Sequence, residues 1–232
     1  MNIHPLGYIT TPFSEKFAIP RQAHIVTEAY GTLQFCDKYR QADSLDGLTA
    51  HSHYWLIWGF HINEKKEKTL TVRPPRLGGN KRVGVFSTRS PFRPNNLGLS
   101  VVKLVSLDAD KKTVTFSGVD MLSGSPIYDI KPYIPYADCR QEATSEWANY
   151  RPEAAFKVEF LPAAADALQN DEQRYQRGLR GLITALLAYD PRPAYKNGQL
   201  DNKVYATQLY DMDIAWRIDD NIVTVISATL KN

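Results

Sequence analysis

Up to about residue 135 the chain is divided into short runs of β-branched and aromatic residues, separated by Pro, Gly, Asn and Asp, with few helical patterns. Such runs read as strands, and many strands at short spacing close most naturally into a barrel or a strongly curled sheet. The predicted strands cover 5–10, 31–36, 49–61, 69–73, 82–87, 101–107, 113–119 and 127–133. Those at 101–107 and 113–119 form a hairpin across the charged turn 108–112. The stretch Tyr54-Trp55-Leu56-Ile57-Trp58-Gly59-Phe60 is too aromatic and too sharply bounded for anything but a central strand.

Beyond residue 135 acids, alanines and polar residues replace the β-branched ones. Three regions are expected: a barrel over 1–137, a linker over 138–152 and a small α+β domain over 153–232. In the last, 156–160 alternates as a strand and Pro162 opens a helix. Leu179, Leu182, Ile183, Leu186 and Leu187 follow helical spacing, and that helix must stop by Pro191. Strands over 203–210 and 221–229 complete the domain, with Trp216 and Arg217 between them. The fold class is therefore mainly β, and at 43% apolar residues a 232-residue chain has ample material for a core.

One loop organises the first half. Thr88-Arg89-Ser90-Pro91-Phe92-Arg93-Pro94-Asn95-Asn96-Leu97-Gly98 crowds two arginines, two prolines and two asparagines before a buried strand. Proline fixes φ, so the loop loses little entropy on ordering and holds its arginines in set directions. It reads either as a binding site or as a tight turn. Asp190-Pro191-Arg192-Pro193-Ala194-Tyr195 repeats the logic, two prolines stiffening an arginine beside an acid and a phenol, and also reads as a braced helix terminator.

Net charge is only +3, yet Lys65, Lys66, Lys68, Arg73, Arg76, Lys81, Arg82, Arg89, Arg93 and Lys103 are interrupted by the single acid Glu67. Such a face attracts nucleic acid or a phosphorylated ligand, or is simply solvated. His51, His53 and His61 share strand parity, but the outer two would lie about 33 Å apart, so no metal site is expected from all three. Gly78-Gly79 lacks the strand and helix context of a phosphate-cradling fingerprint, so a nucleotide-like cofactor would need another kind of site. No apolar run is long enough to cross a bilayer, and the N-terminus lacks a charged segment followed by an apolar one. With only Cys36 and Cys139, both expected to be inert core thiols, the chain is expected in the reducing cytoplasm.

The strings at 88–95, Thr71-Val72-Arg73-Pro74-Pro75-Arg76-Leu77-Gly78-Gly79-Asn80, Asp129-Ile130-Lys131-Pro132-Tyr133 and 190–195 resemble the TsaA/TrmO family, over both domains. Members of that family use S-adenosylmethionine to methylate N6-threonylcarbamoyladenosine beside the tRNA anticodon. The resemblance implies an N-terminal β-barrel, a homodimer and a cofactor site. By position, Pro20, Arg21, Gln22, His61, Ile62, Arg89, Leu99, Asp120, Met121, Leu122 and Ser123 would surround S-adenosylmethionine. If the second domain folds over that pocket, of the same or the partner subunit, Asp190 and Tyr195 are the candidates for taking the substrate's proton and Arg192 for gripping the threonyl carboxylate, while the basic face, with Lys65, Lys66, Arg73, Arg76, Lys81, Arg82 and Arg93, fits tRNA phosphates. One departure is visible: the family usually continues Asn-Pro-Ile-Gly where this chain has Asn95-Asn96-Leu97-Gly98. A non-catalytic RNA-binding barrel, and a methyltransferase acting on another substrate, are the alternatives.

Overall fold

The fold was analysed in a computed structural model that describes residues 2–40, 42–63, 69–169, 175, 178–192, 196 and 203–231. The first half contains β1 (Gly7–Thr10), β2 (Tyr30–Phe35), β3 (His53–Gly59), β4 (Thr71–Val72), β5 (Val83–Gly84), β6 (Leu97–Asp108), β7 (Thr113–Ser117) and β8 (Ser125–Pro132). Six of them close an antiparallel barrel in the order β1-β2-β7-β6-β3-β8, and β4 and β5 form a separate ribbon. Alternation drives this closure. Leu33, Phe35, Tyr54, Leu56, Trp58, Val102 and Phe116 turn inward and are buried, while their strand neighbours, Gly59 and Ser117 apart, are half-exposed or exposed. Register shifts at Leu104/Ser106 and Ile57/Trp58 bend the β6–β7 and β3–β8 ladders, as closure of so small a sheet requires.

Gly98 faces Trp58 across the β3–β6 ladder. A Cβ there would stand 2.3 Å from the indole, so only glycine lets that ring lie over the strand and aim its N–H along the interior.

The second half contains β9 (Lys157–Phe160), β10 (Tyr205–Leu209), β11 (Met212–Asp219) and β12 (Ile222–Leu230), in the order β10-β11-β12-β9. β9 runs parallel to β12, with the helices Pro162–Ala167 and Leu179–Ala188 lying between them in sequence. The longer helix buries the predicted stripe Leu179, Leu182, Ile183, Leu186 and Leu187.

Several expectations are corrected. Trp216 and Arg217 do not lie between strands: β11 occupies that interval, because Met212, Ile214, Trp216 and Ile218 alternate with exposed Asp213, Arg217 and Asp219. Trp216 is fully buried, donates to Thr207 Oγ1 at 2.9 Å and stacks on Tyr205. The strand expected over 49–61 is β3 alone, with 3-10 turns at Leu48–Ala50 and His61–Asn63. Those expected over 69–73 and 82–87 shrink to the two-residue strands β4 and β5. Neither cysteine is a core thiol, since Cys36 is half-buried just after β2 and Cys139 is exposed.

The two halves share one hydrophobic core. Phe13, fully buried, bridges to Leu209, the Tyr210 N–H donates to Pro12 O at 2.7 Å, and Phe17 stacks on Trp216. The loop between β1 and β2 is thus clamped by the C-terminal sheet, which brings residues 18–22 beside residues 186–192.

Candidate active-site groove

A groove of about 2430 Å³ runs between the barrel and the C-terminal lobe. Its walls are the loop 18–22, the β4–β5 ribbon with the arginine loop that follows it, the connection 145–155 and the end of the helix Leu179–Ala188.

The arginine loop holds itself in shape. Thr88 Oγ1 donates to Val85 O at 2.8 Å and accepts from Ser90 N, Ser90 Oγ accepts from Phe92 N, and Arg93 Nη1 donates to Thr88 O at 3.1 Å. Arg93, expected on RNA, is therefore also a brace. Asn96 stands at φ 48°, where its N–H donates to Arg93 O at 3.3 Å and its carbonyl accepts from Phe60 N at 2.9 Å. Proline cannot take that conformation, so the one departure from the family pattern carries a real change of backbone.

Arg89 is exposed and reaches across to Gln22 Oε1. Gln22 Nε2 donates to Arg21 O at 2.5 Å, and Arg21 Nη2 donates to Arg192 O at 3.2 Å. A hydrogen-bonded run thus crosses from the barrel's arginine loop to the C-terminal lobe. Arg192 ends it as a closed unit: Nε donates to Asp190 Oδ1 at 2.8 Å, Nη2 to Oδ2 at 2.9 Å, and the Arg192 N–H to Oδ1 at 3.2 Å. Arg192 is 1% exposed and Asp190 9%. The guanidinium fork is turned onto its own neighbour and lies 5.9 Å from the Phe156 ring centroid, and both Asp190 oxygens are occupied. The hydrogen bonds that Arg192 donates to Asp190 raise its own pKa further.

Asp120 sits behind Arg89. Its Oδ1 accepts from Ser100 Oγ at 2.6 Å, and Ser100 Oγ accepts from Trp58 Nε1 at 3.0 Å, so a relay runs from barrel interior to groove side. Burial pushes the Asp120 carboxyl up to about 6, against the opposing pull of Ser100, the Ala23 N–H and the Arg89 charge.

The remaining predicted cofactor residues gather elsewhere. Thr11 fastens the turn after Asp120 by donating from Oγ1 to Met121 O at 3.0 Å and from its N–H to Ser123 Oγ at 3.2 Å. His61 Nδ1 lies 3.4 Å from Ser125 Oγ, which donates to Leu122 O at 2.7 Å. Met121 is fully buried and Leu122 is 8% exposed, so neither offers its side chain to a ligand, and their carbonyls already accept from Thr11 and Ser125. Ile62 and Leu99 project outward, exposed. Pro20, Arg21, Gln22, Arg89, Asp190 and Arg192 therefore line the groove together, Asp120 interacts with Arg89 without lining it, and His61, Ile62, Leu99 and 121–123 do not line it.

Of the predicted RNA contacts, Arg73, Arg76 and Arg82 line the groove and Lys81 is exposed nearby in sequence. Arg76 Nη1 donates to Tyr150 O at 3.2 Å and Arg82 Nη1 to Thr71 Oγ1 at 3.3 Å. Lys65, Lys66 and Tyr195 lie outside the described residues. Sequence reasoning missed Phe86, 74% exposed in the groove wall, and the Trp58–Ser100 relay. Shared inward parity of Trp58, Gly98 and Ser100 was the available signal for the relay.

The chain matches two family models, the tRNA-methyltransferase O N-terminal domain over residues 8–139 and the TrmO C-terminal domain over 153–230. A protein of Escherichia coli (strain K12) named tRNA (adenine(37)-N6)-methyltransferase is 42% identical over 93% of this chain and 92% of its own length. RcsF of Pseudomonas aeruginosa PAO1, named as an S-adenosylmethionine-dependent methyltransferase, is 41% identical over 93% and 91%. A crystal structure of TrmO from Pseudomonas aeruginosa superposes with a TM-score of 0.82 at 33% identity, covering 99% of this chain and 98% of that one.

Proposed function

This chain belongs to the TrmO family of tRNA methyltransferases, and from that premise we propose that it methylates N6 of threonylcarbamoyladenosine at tRNA position 37, using S-adenosylmethionine. The observation that carries the reading is the run Arg89–Gln22–Arg21–Arg192, which ties the barrel's arginine loop to the C-terminal lobe across one groove. The residues present suit the cofactor. Arg89 offers an exposed guanidinium fork for a carboxylate, and Asp120, whose carboxyl feels the Arg89 charge, a carboxylate for a cationic group.

Bound S-adenosylmethionine supplies an already activated methyl group, so the protein's task is alignment more than acid–base work. Arg21 and Gln22 fix Arg89 from one side, and Asp120 faces it from the other. The Asp190–Arg192 pair fixes the Arg192 carbonyl on which Arg21 rests. Asp190 can accept a proton only once that pair opens, and Arg192 can meet a substrate carboxylate only then; closed, the pair positions the cofactor loop. Tyr195 remains the other candidate for the proton. Arg73, Arg76 and Arg82 hold phosphates along the anticodon arm, with Lys65, Lys66 and Lys81 extending the same face. The protein acts in the cytoplasm as a homodimer.

The test is incubation of the purified chain with methyl-labelled S-adenosylmethionine and tRNA that carries or lacks the threonylcarbamoyl group. Label is expected only in the modified tRNA; equal labelling of both, or of neither, defeats the substrate assignment. Wild-type turnover in Asp190→Asn or Tyr195→Phe removes that residue as the essential base.

A further inference from the structure

His24 stands two residues beyond Gln22 on the loop that borders the groove, and nothing described so far uses its imidazole. Its backbone is left-handed, φ 61°, a conformation that strains a non-glycine residue. The strain is held in place from β7's end, where the His24 N–H donates to Gly118 O at 2.9 Å. His24 Nε2 is buried and has no hydrogen-bond partner. A strained backbone and an orphaned polar atom in one residue call for an explanation.

The surroundings supply one. The His53 ring, from β3, lies 5.3 Å from the His24 ring, centroid to centroid, and its Nδ1 is 2.9 Å from Ser52 Oγ. Lys103 is the β6 partner of His53 in the ladder. Arg151 arrives from the connection between the lobes and donates to the carbonyls of His24 and Ile25 at 3.0 and 3.2 Å. Burial first, then His53, Arg151 and Lys103, hold the His24 imidazole below its ordinary pKa, and burial followed by Lys103 does the same to His53. Among the described residues no carboxylate counts among the charges acting on either ring. Four basic groups from four separate segments thus converge without an acid. Lys103 and Arg151 are exposed and the two imidazoles half-buried, so a ligand from solvent meets two fixed cations outside and two titratable rings behind them.

We propose that His24, His53, Lys103 and Arg151 form a binding site for one phosphate of the substrate RNA backbone, adjoining the methyl-transfer groove. The inference rests on tRNA being the substrate. Arrival of an anion turns mutual repulsion into neutralisation and favours the protonated imidazolium. RNA binding at this site therefore takes up a proton near neutral pH.

The test measures tRNA affinity of the full chain at fixed salt and about pH 6, 7 and 8. Wild type is expected to bind about three- to tenfold tighter at the low end than at the high end. The double variant His24→Asn, His53→Gln should lose that dependence, asparagine being chosen because it tolerates the left-handed backbone. Lys103→Ala and Arg151→Ala should each lower the slope of log affinity against log salt by about one. Unchanged slopes, or a pH dependence that survives in the double variant, overturn the proposal. S-adenosylmethionine affinity and label transfer at saturating tRNA, read on the same variants, report on the methyltransferase reading separately. To separate carriers of the phosphate, the imidazole NMR signals are followed with a short single-stranded RNA and with millimolar inorganic phosphate. Shifts with both mark a general phosphate site, shifts with RNA alone mark one specific to the backbone, and shifts with neither reject the site.

Discussion

Two loops of this protein look alike in sequence, each bringing an arginine close to a pair of prolines, and Arg89 and Arg192 become opposite devices. Arg192 spends its fork on Asp190 two residues away and is shut off from solvent. Arg89 has no acid in its own loop, so it stays exposed, hydrogen-bonded to Gln22 and facing an aspartate that burial discourages from ionising. Proline stiffness is common to both; the position of the nearest carboxylate decides whether the arginine becomes a strut or a hand. A buried, hydrogen-bonded pair resists rearrangement because either charge alone is costly in the interior, whereas an exposed cation is free to exchange partners for a ligand.

The sharpest attempt to break this contrast is Arg192→Ala, which strands the Asp190 carboxylate and should cost about 3–5 kcal/mol, read as a shift in the denaturant midpoint. Replacing both members by Leu should cost far less, and equal losses would mean the pair is not a buried strut. Next comes Asp120→Asn. A carboxyl raised from 3.8 to about 6 in the fold holds a proton that the unfolded chain has already lost, so stability falls as pH climbs through that interval. The variant should abolish the fall and exceed the parent above about pH 6 by up to on the order of 3 kcal/mol, measured by urea unfolding from about pH 4 to 8. Arg89→Ala should leave stability within about 0.5 kcal/mol while weakening S-adenosylmethionine binding roughly ten- to a hundredfold by calorimetry. A large loss of stability there would make Arg89 a strut as well. Smallest are Lys81→Ala and Arg82→Ala, each expected to flatten the salt dependence of tRNA binding by about one unit of slope and leave cofactor affinity unchanged.

The barrel was legible because period-2 alternation and turn residues bound nearly every strand, and β6 and β8 emerge close to where composition put them. β11 was not read, since Asp213, Arg217 and Asp219 interrupt its apolar positions and mimic a polar connection, although the buried half of the alternation was present. At the site, the loops 20–22, 88–93 and 190–192 could be picked out by their prolines and arginines, and the fold gathers them. Their division of labour could not be read from sequence, because Asp190 and Arg192 are neighbours in the chain while Arg89, Gln22 and Asp120 meet only through closure of the barrel. Met121 and Leu122 illustrate the same limit: whether a turn residue offers side chain or backbone depends on which way the chain enters the core.

The clamp at Phe13 reaches beyond the groove. Were the chain cut ahead of β9, the bridge from Phe13 to Leu209 and the bond from Tyr210 to Pro12 would vanish, and the Phe17 ring would lose Trp216. A closed cylinder would survive on paper, yet with a greasy, half-zipped flank beside the groove, inviting strangers to fill the gap. Cooperation between the lobes thus begins in folding, before any RNA arrives.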